Sequence, residues 1–210
     1  LPAPLPTLAD VARRAGVSTA TASRCLNTPD RVGASTRERV MDAVRALGYA
    51  PNFSARALMA RRTNTIGVVI PTMENAIFAR GVQAFQEELV RHGYTLLIAS
   101  SGYDEALEAE QILTLVTRGA DALLLIGYHR APEVYEFVSR RGVPLLVAWA
   151  CDPARDPAAI GFDNAAAMAT LARHALGLGH RRLGMISAPA ASNDRARGRI
   201  EGVQQGMVEA

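Results

Sequence analysis

The sequence predicts an all-α helix-turn-helix head over residues 1–62, followed by an α/β domain with a parallel sheet over residues 63–210. Three observations carry this reading. Apolar residues in the first third recur at helical spacing and are interrupted by Gly16 and Gly48. From Ile66 onward, short buried-strand runs alternate with amphipathic helical runs. Charge divides at the same place: residues 1–62 hold ten arginines against four acids, and the rest holds 13 against 16. With 49% hydrophobic and 20% charged residues, the chain is globular in composition rather than disordered.

Several classes drop out early. No apolar run approaches the ~20 residues of a membrane helix. Leu1-Pro2-Ala3-Pro4-Leu5-Pro6 has neither a charged nor an apolar signal region, so a soluble, cytoplasmic protein is expected. Cys25 and Cys151 make neither a disulfide framework nor a CxxC pair. A basic head on a mildly acidic body is the layout of a nucleic-acid-binding module. On charge alone, a solvated basic face explains it equally well.

The head reads as short helices. Thr7 caps the first, with Asp10 three residues on, and Leu8, Val11, Ala12 and Ala15 form its inner face. Gly16 ends it, Val17 fills the corner, and Ser18 caps a second helix so soon that the two must cross steeply. Ala22, Cys25 and Leu26 face inward there, while Thr19, Ala20, Ser23 and Arg24 lie opposite. Ser35 and Glu38 predict a capping box for a third helix with Val40, Val44 and Leu47 inside, stopped by Gly48. Pro51-Asn52 opens a short fourth helix, Phe53 to Ala60.

In the body, strands are expected at Ile66–Ile70, Leu96–Ala99, Ala122–Ile126 and Leu145–Val147. Between them fall helices around Val82–Val90, Leu107–Val116 and Val134–Val138. Ile160-Gly161-Phe162-Asp163-Asn164 opens a second round: a helix over Ala165–Leu178, a strand over Leu183–Ser187 and a helix over Asp194–Val208. Such alternation implies a parallel sheet with ligands beyond its carboxyl ends. Neither a Gly-x-Gly-x-x-Gly after the first strand nor a P-loop is present, so no nucleotide cofactor is expected. His92, His129, His174 and His180 lack ligand spacing, and no catalytic triad or carboxylate pair stands out. Neither a metal nor an enzyme is expected.

The string Ala9-Asp10-Val11-Ala12, Ala15-Gly16-Val17-Ser18, Thr21-Ala22-Ser23-Arg24, Leu26-Asn27 resembles the headpiece of the lactose-repressor (LacI/GalR) family. Thr36-Arg37, Leu47-Gly48-Tyr49, Pro51-Asn52, Ala55-Arg56 and Leu58 continue it through a hinge helix. Ala22 stands where the family usually has Val. The resemblance implies that Thr19, Ala20 and Arg24 read base edges, with Arg24 alone carrying the fork that suits guanine. It implies that Thr7, Ser18, Thr21 and Asn27 hold phosphates and that Ala55 and Leu58 form the minor-groove hinge. A helix cap at Ser18 and a core leucine at Leu58 are the plain structural alternatives.

The body resembles the same family's periplasmic-binding-protein-like domain, in which two lobes hold an effector between them. Ile66-Gly67-Val68-Val69-Ile70-Pro71, Ile160-Gly161-Phe162-Asp163-Asn164, Leu178-Gly179-His180-Arg181-Arg182-Leu183 and Arg199-Ile200-Glu201-Gly202 carry that likeness. By position it implies an effector site of Ile77, Phe78, Trp149, Asp163, Asn193, Arg195 and Arg199. Against it, Phe78 and Phe162 could be core residues, and Arg195 and Arg197 a solvated helix face. Ala148 stands where the family often has an acid. The first lobe is expected over 63–159 and the start of the second over 160–210.

Together these imply a cytoplasmic, sequence-specific transcriptional regulator, a repressor whose grip on double-stranded operator DNA is set by a sugar or sugar-acid effector. A homodimer is expected at full length, with no membrane partner. The alternative is a sugar-binding protein without regulatory output, against which the basic head argues. Relative to the family pattern the second lobe is incomplete: one strand, Leu183–Ser187, cannot pair its backbone or cover Ile200, Val203 and Met207. A 210-residue product is therefore expected to bind DNA weakly, ignore effectors and expose apolar surface, unless it is part of a longer chain.

Overall fold

The computed structural model describes residues 5–50, 62–152, 154 and 158–208, in two compact units, Leu1–Arg61 and Arg62–Ala210. In the first unit, α1 spans Leu8–Ala15, α2 Thr19–Asn27 and α3 Ala34–Leu47, with a 3₁₀ turn at Pro29–Arg31. Thr7 and Asp10 form a reciprocal capping box at the start of α1. Gly16 closes α1 with φ +64°, a left-handed conformation, and so lets the chain enter α2 within three residues. Val11, Ala12, Ala15, Ala22, Cys25, Val40 and Ala43 form the core, ringed by Leu8, Val17, Val44 and Leu47. Val11 and Val40 are wholly buried; removal of each from water stabilises by about 1.5–3 kcal/mol, in helices too short to persist alone.

The second unit runs β1 Thr65–Ile70, α4 Ala76–Arg91, β2 Thr95–Ser100, α5 Glu105–Thr117, β3 Ala122–Ile126, α6 Pro132–Arg140, β4 Leu145–Ala148, β5 Ala159–Ile160, α7 Asn164–Gly177 and α8 Asp194–Val208. The sheet is parallel throughout, in the order β2-β1-β3-β4-β5. Alternation along its strands divides the core in two. Val69, Leu123 and Leu125 meet Ile112, Leu115, Val134 and Val138 on one face. Val68, Ile70, Leu124 and Ile126 meet Phe78 and Val82 of α4 on the other.

Ile160 ends a two-residue strand paired with β4 at the edge of the sheet. Three sequence-based expectations are corrected. Ser35 caps nothing: the N-cap of α3 is Gly33, two residues earlier, and the helix starts at Ala34, which places Ser35 inside it. Leu183–Ser187 forms no strand, and Ile186 is fully exposed. A strand is made by its neighbour's hydrogen bonds, and among the described residues none lies alongside.

The third correction concerns the inner face of α8. Met207 is exposed and Ile200 and Val203 are only half-buried, while Gly202 and Gly206 are buried. A Cβ on Gly202 would overlap the carbonyl of Ala165, and one on Gly206 would lie 2.7 Å from that of Ala169. Helices α7 and α8 therefore meet backbone to backbone along a glycine–alanine seam. The apolar residues of α8 flank that seam.

Candidate functional site

The outward side of α2 is built by the residues that do not pack. Ala22 and Cys25 are buried in the head's core, which leaves Thr19, Ala20 and Arg24 exposed. Ser18 accepts from the Thr21 backbone N–H at 3.1 Å, and its Oγ lies 2.9 Å from the Thr21 hydroxyl. Asn27 is exposed and donates through Nδ2 to Ser23 Oγ at 3.2 Å. Thr7 is also exposed, but its hydroxyl donates to Asp10 Oδ2 at 2.7 Å. Thr7 and Ser18 are thus helix caps here, placed at two helix N-termini where backbone N–H groups favour anions. Ala55 and Leu58 lie outside the described residues.

In the second unit a cleft of about 220 Å³ opens beyond the carboxyl ends of β3, β4 and β5. Tyr128 follows β3, Ala150 to Asp152 follow β4, and Phe162 to Ala165 follow β5. Asp194, Arg195, Arg197, Gly198 and Glu201 of α8 form the facing wall. A parallel sheet places its ligand crevice at these ends.

The expected effector residues disperse around this cleft. Asp163 and Arg195 line it. Asp163 also caps α7, accepting from the N–H groups of Ala165 (2.9 Å) and Ala166 (3.0 Å). Arg195 is only 8% exposed, so it is not a solvated helix face. Its Nη1 donates to the Ile126 carbonyl at 2.9 Å and to Asp194 Oδ1 at 2.9 Å. Burial lowers its pKa from the usual guanidinium value, and the Asp194 charge opposes that shift. Asn193 is buried and accepts from the N–H of Ala196, capping the first turn of α8. Arg199 Nη1 donates to Asn164 Oδ1 at 2.8 Å, and Asn164 itself lines the cleft.

Ile77 and Phe78 are not among the lining residues. Ile77 is exposed at the start of α4, and Phe78 is buried in the core with its ring edge-on to Trp149 at 5.4 Å. Phe78, on the inner side of α4, packs against Val68, Ile70, Leu124 and Ile126 of the sheet. Trp149 is half-buried and adopts φ +61°, rare for a bulky residue. Phe162, weighed as core, is exposed in the cleft.

Sequence reasoning missed Tyr128, Asp152, Asn164, Asp194, Arg197 and Glu201. For Tyr128, Asp152 and Asn164, the available signal was their place just after a strand's carboxyl end. Tyr128 donates its backbone N–H to Asp194 Oδ2 at 2.6 Å and accepts from the Asp152 N–H at its hydroxyl at 3.2 Å. Beneath it, Tyr135 donates to the Tyr128 carbonyl at 2.9 Å and accepts from Arg130 at 2.6 Å. Arg130 in turn pairs with Glu108 at 3.3 Å. Burial raises the Tyr135 pKa, with Arg130 opposing it. Among the described residues, no group of histidines, cysteines and acids is placed to hold a metal.

Residues 7–52 match the profile of bacterial regulatory proteins of the lacI family, and residues 63–210 match periplasmic binding proteins and the sugar binding domain of the LacI family. The chain belongs to the LacI family. It is 31% identical to catabolite control protein A of Streptococcus mutans, over 96% of this chain and 60% of that protein. It is 32% identical to the HTH-type transcriptional regulator GntR of Pseudomonas aeruginosa, over 98% of this chain and 59% of that one. The lac repressor dimer bound to operator and the anti-inducer ONPF superposes with a TM-score of 0.80 at 26% identity, over 98% of this chain and 62% of the repressor. This LacI-family chain thus spans about 60% of the length of the relatives it matches.

Proposed function

We propose that the protein is a cytoplasmic, sequence-specific DNA-binding regulator, acting as a repressor under the control of a small polar effector. The observation that carries this reading is the unpacked side of α2, where Thr19, Ala20 and Arg24 stand exposed over a core made by Ala22 and Cys25. Residues 1–62 are the DNA-binding head, 63–159 the first lobe and 160–210 the beginning of the second. Arg24 reads guanine, while Thr19 and Ala20 offer a hydroxyl and a methyl. Thr7, Ser18, Thr21 and Asn27 position the head on phosphates, and Ala55 and Leu58 open the minor groove.

The cleft supports the effector half of the reading. Asp152, Asp163 and Glu201 offer acceptors, Arg197 and Tyr128 offer donors, and Phe162 offers an apolar face. This mixture suits a sugar or sugar acid. Arg199 and Trp149 bond to Asn164, which is part of the cleft lining. The relatives named above are regulators, and the lac repressor structure is a dimer on its operator. A dimer reading a palindromic site, with no catalytic step, follows for the full-length protein.

A gel shift on random-sequence duplexes at two salt concentrations tests this. A regulator retains a selected subset at the higher salt, whereas binding that vanishes uniformly means phosphate attraction alone and overturns the reading.

A further inference from the structure

Asn164 is a polar side chain only 7% exposed at the first position of α7. Its amide nitrogen donates to two backbone carbonyls, those of Trp149 (3.2 Å) and Phe162 (3.3 Å). Its oxygen accepts from Arg199 Nη1 at 2.8 Å. Carbonyls cannot donate and a guanidinium cannot accept, so a single orientation of the amide satisfies all three partners. Trp149 presents its carbonyl to Asn164 from a left-handed backbone, a conformation that persists only where neighbours hold it.

We propose that Asn164 is a positioning residue. It sets the direction of the Arg199 guanidinium and ties it to the Trp149 carbonyl at the end of β4. An event at Arg199 is therefore transmitted to the first lobe. The relevance of this to regulation rests on Arg199 being an effector contact, as proposed above.

Two readouts test it without any effector: the rate at which phenylglyoxal modifies Arg199, followed by peptide mass spectrometry, and the fluorescence of Trp149, the chain's single tryptophan. In the 210-residue chain, Asn164→Leu is expected to speed Arg199 modification about threefold to tenfold, the population held back by one such hydrogen bond. It also shifts Trp149 emission. Asn164→Asp at about pH 8, where the carboxylate is ionised, can accept from Arg199 but cannot donate to Trp149. It must keep Arg199 protected while changing the emission, and it carries the test alone should the leucine variant unfold. Arg199→Met changes acrylamide quenching of Trp149, whereas Arg140→Met, on the exposed side of α6 where it pairs with Glu136, does not.

Unchanged Arg199 reactivity in Asn164→Leu, or loss of protection in Asn164→Asp, overturns the proposal. Were Arg199 not an effector contact, these rates would still come out as expected, so the two failures are told apart.

Discussion

Arg195 reaches from α8 to the backbone carbonyl of Ile126 at the end of β3, donating through Nη1 at 2.9 Å. The same nitrogen meets Asp194, whose other oxygen takes the Tyr128 N–H. Arg195, one of the expected effector residues, is thus also a strut that fixes α8 against the sheet and forms the cleft wall in doing so. Gly127 makes room for it: at φ +71°, a Cβ there would collide with the guanidinium and the Asp194 carboxylate.

Arg195→Met should therefore act on stability before it acts on any ligand. It leaves the Asp194 charge with 17% side-chain exposure and no cation on it. Breaking one partner of a largely buried pair costs about 3 kcal/mol. Urea unfolding followed by circular dichroism measures this. A midpoint equal to that of the parent would show that the strut holds nothing.

Three glycines within helices should respond differently to alanine. Gly202→Ala drives a methyl into the Ala165 carbonyl and is expected to destabilise by about 1–3 kcal/mol. Gly198→Ala meets nothing nearer than 3.6 Å and should gain about 0.5–1 kcal/mol of helix propensity. Gly177→Ala, at the end of α7 with open space around it, should be neutral or mildly stabilising. Equal shifts of the melting temperature for Gly198→Ala and Gly202→Ala would refute the close seam.

The parts of this protein that local chemistry decides were legible in its sequence. Gly16 and Gly48 end their helices because only the left-handed caps fit there, and the runs at Ile66 and Ala122 are strands because they are buried on both faces. Readings went wrong where a distant backbone decided. Hydrophobic periodicity put Ile200, Val203 and Met207 inside α8, but periodicity cannot see a face whose merit is having no side chain. Leu183–Ser187 has the composition of a strand and no ladder. The packing of Phe78 with Leu124 and Ile126, and the bond from Arg195 to the Ile126 carbonyl 69 residues away, are likewise long-range partnerships that sequence spacing does not supply.

Acid should loosen the head through Asp10. Hydrogen bonds from Thr7, first its side chain and then its backbone, with help from Arg13, hold the Asp10 pKa below its ordinary 3.8. A carboxylate depressed in the folded state adds stability above its unfolded value and loses it as pH falls through the folded one. The melting temperature of the head is expected to fall as pH drops below about 4. Asp10→Asn should remove this component of the fall, and an unchanged pH profile in that variant would remove the capping box from the account.

Arg24 carries the most direct test of the proposed DNA reading. It stands exposed on α2 with Thr19 and Ala20, one residue before buried Cys25. Packing therefore has no claim on it, and Arg24→Ala should leave the head's stability unchanged. A bidentate contact to guanine discriminates by about 1–3 kcal/mol, so the variant should lose roughly five- to 150-fold at the selected site and relax preference at one position per half-site. Arg13 supplies the control, since it lies on α1 and pairs with Asp10 at 3.2 Å. Arg13→Ala should weaken all sequences alike, lowering the salt dependence without altering the consensus. Selection from random duplexes separates the two. An unchanged consensus with Arg24→Ala would move base reading off α2 and leave its exposed side as a solvated helix face.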